Sequence, residues 1–352
     1  MKTSGLFYDH KGSAKAAQLS YINDKTEGIQ RISHKSGFKY IYKGKPLTTK
    51  SELERIKKLA IPPAWQNVWI CKSPNGHIQA TGYDVKHRKQ YRYHSNWNSI
   101  RNETKFQHML DFGKSLPKLR SKLRSDLSQK TLTSSKVIAT IITLMEQTYI
   151  RIGNESYEKQ NGSHGMTTLK DRHVKISSGS MTFCFKGKKG IQHTIKLNNK
   201  RIAKIVKQCR DIPGKELFQY LDEKGKHHKV DSGMVNSYIH EATGGDFSAK
   251  DFRTWAGTLH ALEALKKIGV APSLTVAKKN IVEALDFVSE KLGNTRTVCK
   301  KYYVNPVVLE LYENNKLLEL TKKNVSLKNV ATKLSGEEAI MLNILKVKSA
   351  AS

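Results

Sequence analysis

The chain has 352 residues, and its 62 Lys and Arg against 30 Asp and Glu leave a formal net charge of +32 at pH 7. Hydrophobic residues make up 38% of it, an ordinary globular value once its 23 glycines are added, which excludes wholesale disorder. A surplus of this size repels itself unless a polyanion neutralises it. Nucleic acid is therefore the expected partner, ahead of an anionic membrane surface.

Membrane insertion and secretion find no support in the sequence. No apolar run approaches the ~18 residues of a membrane-spanning helix, and the first ten residues do not resemble a signal peptide. The four cysteines lie far apart and form no CxxC pair: Cys71, Cys184, Cys209 and Cys299. We therefore expect reduced thiols, no membrane association and a cytoplasmic location. If the source is bacterial, we expect association with the nucleoid.

Residues 28 to about 98 consist of short alternating runs separated by Gly and Pro, such as 38–42, 68–71 and 77–82. Alternating side chains predict strands, and the Gly and Pro residues predict turns between them. This region is predicted to be a small β-rich module.

From about residue 100 the pattern becomes helical. Leucines recur at helical spacing at Leu116, Leu119, Leu123 and Leu127. A second apolar helix follows a cap at Ser134 or Ser135 and is predicted to end near residues 151–153. Further helices are predicted around 234–239, 248–268 and 275–292, the last closed by Gly293. The change in pattern predicts a domain boundary near residue 100.

Three strands interrupt these helices, at residues 173–176, 181–186 and 191–197. The last two flank Gly187-Lys188-Lys189-Gly190, which is typical of a hairpin turn. The predicted fold class is therefore α+β, with a small β-rich N-terminal domain and a larger, mainly α-helical domain.

Several standard chemistries lack their motifs. The sequence has no P-loop, no GxGxxG after a strand, no HExxH and no evident DxD cluster. A chain acting on a phosphodiester would then depend on its own cations and a side-chain nucleophile. We expect no cofactor and no metal.

Four sequence segments carry a family resemblance in this order: 149–155 (Tyr-Ile-Arg-Ile-Gly-Asn-Glu), 187–190, 250–258 (Lys-Asp-Phe-Arg-Thr-Trp-Ala-Gly-Thr) and 292–306, which contains Tyr302-Tyr303-Val304-Asn305-Pro306. Together they resemble the poxvirus-and-bacterial branch of the type IB DNA topoisomerases, over about residues 30 to 315. Each motif is weak alone, but five positions in register are a specific signal.

The resemblance implies the catalytic residues. The family's two arginines fall on Arg151 and Arg253, its hairpin lysine on Lys188 and its tyrosine nucleophile on Tyr303. The family has His or Asn nine residues before the tyrosine, and here it is Asn294, which cannot titrate. By sequence alone Tyr302 competes with Tyr303, although the family pattern favours Tyr303.

Each of these residues also has a purely structural interpretation. Arg151 could satisfy carbonyls at a helix end, Arg253 could pair with Asp251, and Asn294 could be a helix-end turn residue. Lys188 and its neighbour Lys189 could be solvated charges.

Residues 83–93 resemble the family's DNA-contacting strand. The resemblance implies that Gln90, Tyr91 and Tyr93 read the DNA, with Arg88 beside them. Core packing is the alternative for the two tyrosines, because they alternate on a strand.

The resemblance implies relaxation of supercoiled duplex DNA by a monomer. One strand is cut through a 3′-phosphotyrosyl intermediate, swivels and is resealed, without ATP or a required metal. The expected domains are 1–100 (DNA-binding), 101–320 (catalytic) and 321–352 (a basic tail that could dock, bind DNA or bind a partner). The alternatives are a tyrosine recombinase and a non-enzymatic DNA-packaging protein. A recombinase normally has HxxR around the second arginine, where this chain has Lys250-Asp251-Phe252-Arg253.

Overall fold

The computed structural model describes residues 9–35, 37–85, 87–322 and 334–350. Of the predicted segments, residue 86 of the DNA-contacting strand and residues 323–333, 351 and 352 of the tail lie outside the described residues. The chain divides into two compact units, residues 1–108 and 109–352.

The first unit contains a six-stranded antiparallel sheet, which confirms the predicted β-rich module. Its strands are β1 (Ile29–His34), β2 (Gly37–Tyr42), β3 (Lys45–Pro46), β4 (Gln66–Ile70), β5 (Ile78–Tyr83) and β6 (Lys89–Tyr93). The spatial order is β3-β2-β1-β4-β5-β6, so β6 lies at an edge. It pairs with β5 in a register that sets Thr81 opposite Tyr91.

Among the described residues, two helices lie wholly within this unit, α1 (His10–Ala16) and α2 (Lys50–Lys58). Helix α2 lies in the region predicted as strands and turns only, and that prediction is wrong there. Ile56 of this helix is buried in the cluster that contains Ile29 and Val68. Arg55 donates hydrogen bonds to Gln79 Oε1 and the Cys71 carbonyl. Tertiary contacts of this kind stabilise a short helix that its own sequence would not.

The second unit is mainly helical, as predicted. Its helices are α3 (Ser95–Leu127), which begins in the first unit, then α4 (Ser134–Thr148), α5 (Glu155–Asn161), α6 (Lys200–Arg210), α7 (Ser232–Thr243), α8 (Ala249–Ile268), α9 (Leu274–Leu292), α10 (Arg296–Tyr302), α11 (Pro306–Glu313), α12 (Leu317–Lys322) and α13 (Gly336–Ala350). All four leucines at helical spacing in α3 are buried. Helix α4 ends at Thr148, before its predicted end, because Tyr149 takes the left-handed conformation (φ 57°).

A three-stranded antiparallel sheet follows α5. It consists of β7 (Val174–Ser177), β8 (Ser180–Lys186) and β9 (Gln192–Asn198), in that order. The predicted hairpin is confirmed, since β8 and β9 pair along their whole length and the turn lies between them. A small sheet of β10 (Gln219–Leu221) and β11 (His227–Lys229), which the sequence pattern does not predict, lies between α6 and α7.

The described part of the C-terminal tail packs against the second unit. Helix α13 contacts α8, α11 and α12. Its Leu342, Ile344 and Leu345 are buried. Of the alternatives for the tail, the structure shows docking for residues 334–350.

All four cysteines are free, and Cys184 is the exposed one among them. Within the described residues, no helix has the length and apolar character that a membrane crossing requires.

Candidate active site

The five residues predicted to act together all lie in the second unit, in turns or near helix ends. Arg151 follows α4, Lys188 lies between β8 and β9, Arg253 is in the first turns of α8, Asn294 follows α9, and Tyr303 ends α10. The structure brings four of them together in two pairs, Arg151 with Asn294 and Arg253 with Tyr303. Both pairs lie beside the C-terminal end of α9.

Arg253 joins two helix ends. Its side chain is buried, with 5% exposure. Nη2 donates a hydrogen bond of 2.7 Å to the Leu292 carbonyl, and Nη1 donates to the Tyr149 carbonyl. The observed partners are therefore carbonyls at the ends of α9 and α4. Asp251, the partner expected from the structural interpretation, instead accepts from the Ser248 backbone N–H and caps α8.

Arg151 binds the turn that closes α9. Its Nη2 donates to Asn294 Oδ1 at 2.8 Å and lies 3.4 Å from the Gly293 carbonyl. A guanidinium group only donates hydrogen bonds, so the amide of Asn294 must present its oxygen to Arg151. The Nδ2 of Asn294 is then the group that can donate, and among the described residues its contact is a long one of 3.5 Å with the Leu292 carbonyl.

Tyr303 is held by the segment that carries Arg253. The Tyr303 carbonyl accepts a hydrogen bond of 3.1 Å from Thr258 Oγ1. A Cβ on Gly257 would come within 2.8 Å of the Tyr303 carbonyl oxygen and 2.9 Å of its Cβ, so the glycine permits this close approach. The Cζ of Arg253 lies 5.2 Å from the centroid of the Tyr303 ring.

The surrounding cations change the acidity of Tyr303. Burial alone would raise the pKa of its phenol, but the positive charges of Arg253, Arg151 and Lys188 outweigh burial and lower the pKa below its usual value. Burial, followed by the charge of Arg151, lowers the pKa of Arg253 to about 10. Arg253 thus stays protonated at neutral pH, where its charge eases the ionisation of Tyr303.

Lys188 is exposed in the hairpin turn, where the next residue, Lys189, has a left-handed backbone (φ 63°). The positive charge of Lys188 is the smallest of the contributions that lower the pKa of Tyr303, after those of Arg253 and Arg151. Within the described part of the chain, Lys188 makes no hydrogen bond or ion pair with the other four residues, and its charge acts on Tyr303 through space.

Tyr302 has different surroundings from Tyr303. Its ring is 46% exposed and lies beside Lys301, with Nζ 5.3 Å from the ring centroid. The arginine lies instead over the ring of Tyr303.

Sequence reasoning missed His193, which lies in β9 beside the site. Its ring stacks on Phe185 with centroids 5.1 Å apart. A Cβ on Gly187 would come within 2.6 Å of the imidazole, and one on Gly293 within 2.8 Å. Gly187 and Gly293 precede Lys188 and Asn294 in the sequence, and they were the sequence feature that could have indicated a bulky side chain packed there. Burial, then the charges of Arg151 and Arg253, lowers the pKa of His193, so the ring is neutral at pH 7.

A cavity of about 530 Å³ opens at this place. Arg151, Lys188, His193 and Gly293 line it. In the described part of the chain, no group of three or more His, Cys, Asp or Glu side chains is placed to hold a metal ion.

The predicted DNA-contacting residues lie in the first unit, on or just before the edge strand β6. Tyr91 and Tyr93 are 45% and 39% exposed, and their rings stack with centroids 5.8 Å apart. Their exposure contradicts the core-packing alternative. Asp84 holds the other two residues, accepting from Arg88 Nε at 2.8 Å and from Gln90 Nε2 at 3.0 Å.

The chain is similar in sequence to known DNA topoisomerases. Residues 94–330 match the family model described as "Eukaryotic DNA topoisomerase I, catalytic core", and residues 37–84 match "Bacterial DNA topoisomerase IB, N-terminal domain". The chain is 38% identical over 309 residues to the "DNA topoisomerase 1B" of Acanthamoeba polyphaga mimivirus. The matched region covers 85% of this chain and 91% of that protein. It is 23% identical to the "DNA topoisomerase 1B" of Vaccinia virus (strain Copenhagen) over 69% of this chain and 74% of the relative.

These matches confirm the family resemblance and the α+β fold class. The segments that match the catalytic-core model contain all five residues of the candidate active site. The chain belongs to the type IB DNA topoisomerase family.

Proposed function

We propose that the chain relaxes supercoiled duplex DNA by cutting one strand with Tyr303. The phenolic oxygen attacks a phosphorus atom of the backbone, the bond from phosphorus to the 5′ oxygen breaks, and a 3′-phosphotyrosyl link forms. The placement of Tyr303 beside Arg253, with its pKa lowered, carries this proposal. One phosphodiester replaces another, so resealing is the reverse step and requires no ATP.

The two arginines stabilise the charge that develops on the phosphate. A guanidinium can donate two parallel hydrogen bonds to non-bridging oxygens, which a lysine cannot do. Arg253 uses two of its N–H groups on the carbonyls of Tyr149 and Leu292, and these bonds hold it in place before DNA arrives. Asn294 adds a further hydrogen bond to the phosphate from Nδ2.

Lys188 donates the proton that the 5′ oxygen needs on leaving. An alkoxide is a poor leaving group, so general-acid assistance speeds the step. The exposed position of Lys188 in the hairpin turn suits this role, because the turn faces the cavity that Arg151 also lines. On religation the same amine takes the proton back from the attacking 5′ hydroxyl.

The first unit contributes DNA contacts through β6. The exposed rings of Tyr91 and Tyr93 offer surfaces for contact with bases or sugars. Gln90 and Arg88 carry N–H donors on side chains that Asp84 orients. We propose that the protein works as a monomer on double-stranded DNA, needs no metal, and acts in the cytoplasm or nucleoid. Torsion stored in the DNA drives the swivel.

The test compares Tyr303→Phe with Tyr302→Phe on supercoiled plasmid, in EDTA and without ATP. Tyr303→Phe should abolish relaxation and the covalent adduct, while its duplex Kd stays within about threefold because phosphate contacts supply most of the affinity. Tyr302→Phe is the matched control and should remain active. Rapid denaturation followed by peptide mapping should find DNA on Tyr303, joined through its 3′ end.

Four results would contradict the proposal. Relaxation by Tyr303→Phe would show that another residue is the nucleophile. A covalent link to the 5′ end of the DNA would exclude a 3′-phosphotyrosyl intermediate. Strand exchange restricted to paired sites would indicate a recombinase, and a mobility shift without any change in topology would indicate a packaging protein.

A further inference from the structure

Glu338 is a buried carboxylate that the proposed reaction does not use. It lies in α13, beyond residue 330, where the match to the catalytic-core family ends. Its side chain is 6% exposed. It accepts hydrogen bonds from Arg120 Nη1 (2.8 Å) and Nη2 (2.7 Å), from Trp255 Nε1 (3.0 Å) and from the backbone N–H of Ser335 (2.8 Å). Burial of a carboxylate is tolerated only when its oxygens are bound in this way.

Arg120 extends the contact to a second carboxylate. Its Nε and Nη2 donate to Glu146 Oε1 at 2.8 and 2.6 Å. Burial would lower the pKa of Arg120, but the two carboxylates raise it instead. Burial would raise the pKa of Glu338, but Arg120 lowers it. Both groups are therefore charged, and one guanidinium joins α3, α4 and α13.

These contacts involve α8 and α4, the two helices joined by Arg253 in the candidate active site. Trp255 is two residues after Arg253 in α8, and Glu146 lies in the last turn of α4. The next residue after α4, Tyr149, accepts a hydrogen bond from Arg253 Nη1. Glu338 thus binds Trp255 of α8 directly and Glu146 of α4 through Arg120.

Packing around Trp255 leaves little freedom for adjustment. A Cβ on Gly113 would come within 2.4 Å of the Trp255 ring and 2.9 Å of Leu342 in α13. A shift of α13 would therefore displace the indole and, with it, the part of α8 that carries Arg253.

We propose that Glu338 is a positioning residue for DNA cleavage, acting through Trp255 and Arg120 to hold α8 and α4 in the alignment that Arg253 and Arg151 require. The inference rests on the proposed roles of the two arginines. It assigns a role in the reaction to a helix outside the matched catalytic core.

The chain offers a matched control one residue away. Glu337 accepts hydrogen bonds of 2.6 and 2.8 Å from Lys266 Nζ. Lys266 lies in the last turn of α8, whereas Arg253 lies near the first. Glu337→Gln therefore removes an ion pair between the same two helices at the far end of α8.

The experiment uses the full chain and compares Glu338→Gln with Glu337→Gln, each measured well below its melting temperature. The readouts are the single-turnover rate of covalent adduct formation with excess enzyme and the duplex Kd in a Tyr303→Phe background. Glu338→Gln should slow cleavage on the order of tenfold or more, since small misplacements of catalytic groups have large effects on rate. Its Kd should be unchanged. Glu337→Gln should alter the rate less than about twofold, as expected for a partly exposed ion pair.

Trp255→Phe is the second variant, because it removes one hydrogen bond while the Arg120–Glu338 pair remains. It should slow cleavage as well, and the double variant with Glu338→Gln should be less impaired than the product of the two effects. Wild-type cleavage rates in Glu338→Gln or Trp255→Phe, or equal losses in Glu338→Gln and Glu337→Gln, would overturn the proposal even if melting temperatures fall. Absence of any covalent adduct in the unsubstituted protein would instead refute the proposed function, and this inference with it.

Discussion

At the scale of single residues, Arg253 and Tyr303 depend on each other. The guanidinium lies over the tyrosine ring and is held by two backbone carbonyls, so it cannot easily turn away. A rigid positive charge placed before the reaction stabilises an anion without the reorganisation that water would require. The phenolate is the form that attacks, and the lowered pKa of Tyr303 makes it easier to form than in a free tyrosine.

The lowered pKa of Tyr303 predicts the pH dependence of cleavage. Because the deprotonated tyrosine attacks, the rate should rise with pH and level off above the pKa, with a midpoint below tyrosine's usual ~10. The measurement uses duplex DNA with sulfur in place of the 5′ bridging oxygen at a mapped cleavage site. A thiolate leaves without a proton, so the profile reports the nucleophile and not Lys188. A midpoint at or above the usual value would contradict the lowered pKa.

Membership of the active site was predictable from the sequence for residues that lie in a short family motif, and not for the others. Arg151, Arg253, Asn294 and Tyr303 each lie in such a motif, and the structure brings them together. The contacts of Glu338 join residues 120, 146, 255 and 338, which no local pattern connects. Such contacts become visible only once the helices are packed.

At the scale of elements, one segment of α8 both supplies an active-site residue and supports the tyrosine. Its residues 253–258 supply Arg253 to the site, and the same stretch supports Tyr303 through Gly257 and Thr258. The Thr258 hydroxyl also accepts a hydrogen bond from the backbone N–H of Asn305, two residues after Tyr303. The two partners of the cation–ring contact are thus held by adjacent turns of a single helix.

Gly257→Ala should impair cleavage and stability together. The new methyl group would meet the backbone of Tyr303 at 2.8 Å, so the tyrosine must move. Overpacking of this kind destabilises by about 1–3 kcal/mol. Chemical denaturation and adduct formation measure the two effects. Gly336→Ala is the control, because nothing lies within 4 Å of its new Cβ. Unchanged cleavage by Gly257→Ala would show that Tyr303 tolerates displacement.

The accuracy of the element predictions follows the strength of each local pattern. Long helices with buried leucines and the glycine-flanked hairpin were predicted because periodicity and turn residues mark them. Helix α2 has nine residues between strands and depends on Arg55 and Ile56 contacting the sheet. The strands β10 and β11 have three residues each, too few to show alternation.

At the scale of the whole molecule, the net charge of +32 dominates. Each phosphate contact by Lys or Arg releases a condensed counterion, so DNA affinity should fall linearly with salt on logarithmic axes. Composition alone predicted a nucleic-acid partner, because that expectation depends on the sum of charges and not on how the chain folds.

Between 50 and 200 mM salt, the duplex Kd should weaken by roughly 10³ to 10⁵, as expected for about six to ten phosphate contacts. Fluorescence anisotropy with a labelled duplex measures it. Tyr303→Phe should show the same slope, since the phenol carries no positive charge. A Kd independent of salt would mean that contacts other than phosphate contacts dominate binding.

Helix α13 follows every active-site residue in the chain. Ribosomes synthesise proteins in chain order, so Tyr303 emerges during translation before Glu338 does. If Glu338 aligns the arginines as proposed, a nascent chain that already contains Tyr303 and both arginines would cleave DNA slowly until α13 has packed against α8. The full cleavage rate would then depend on a helix that is synthesised after every residue of the active site.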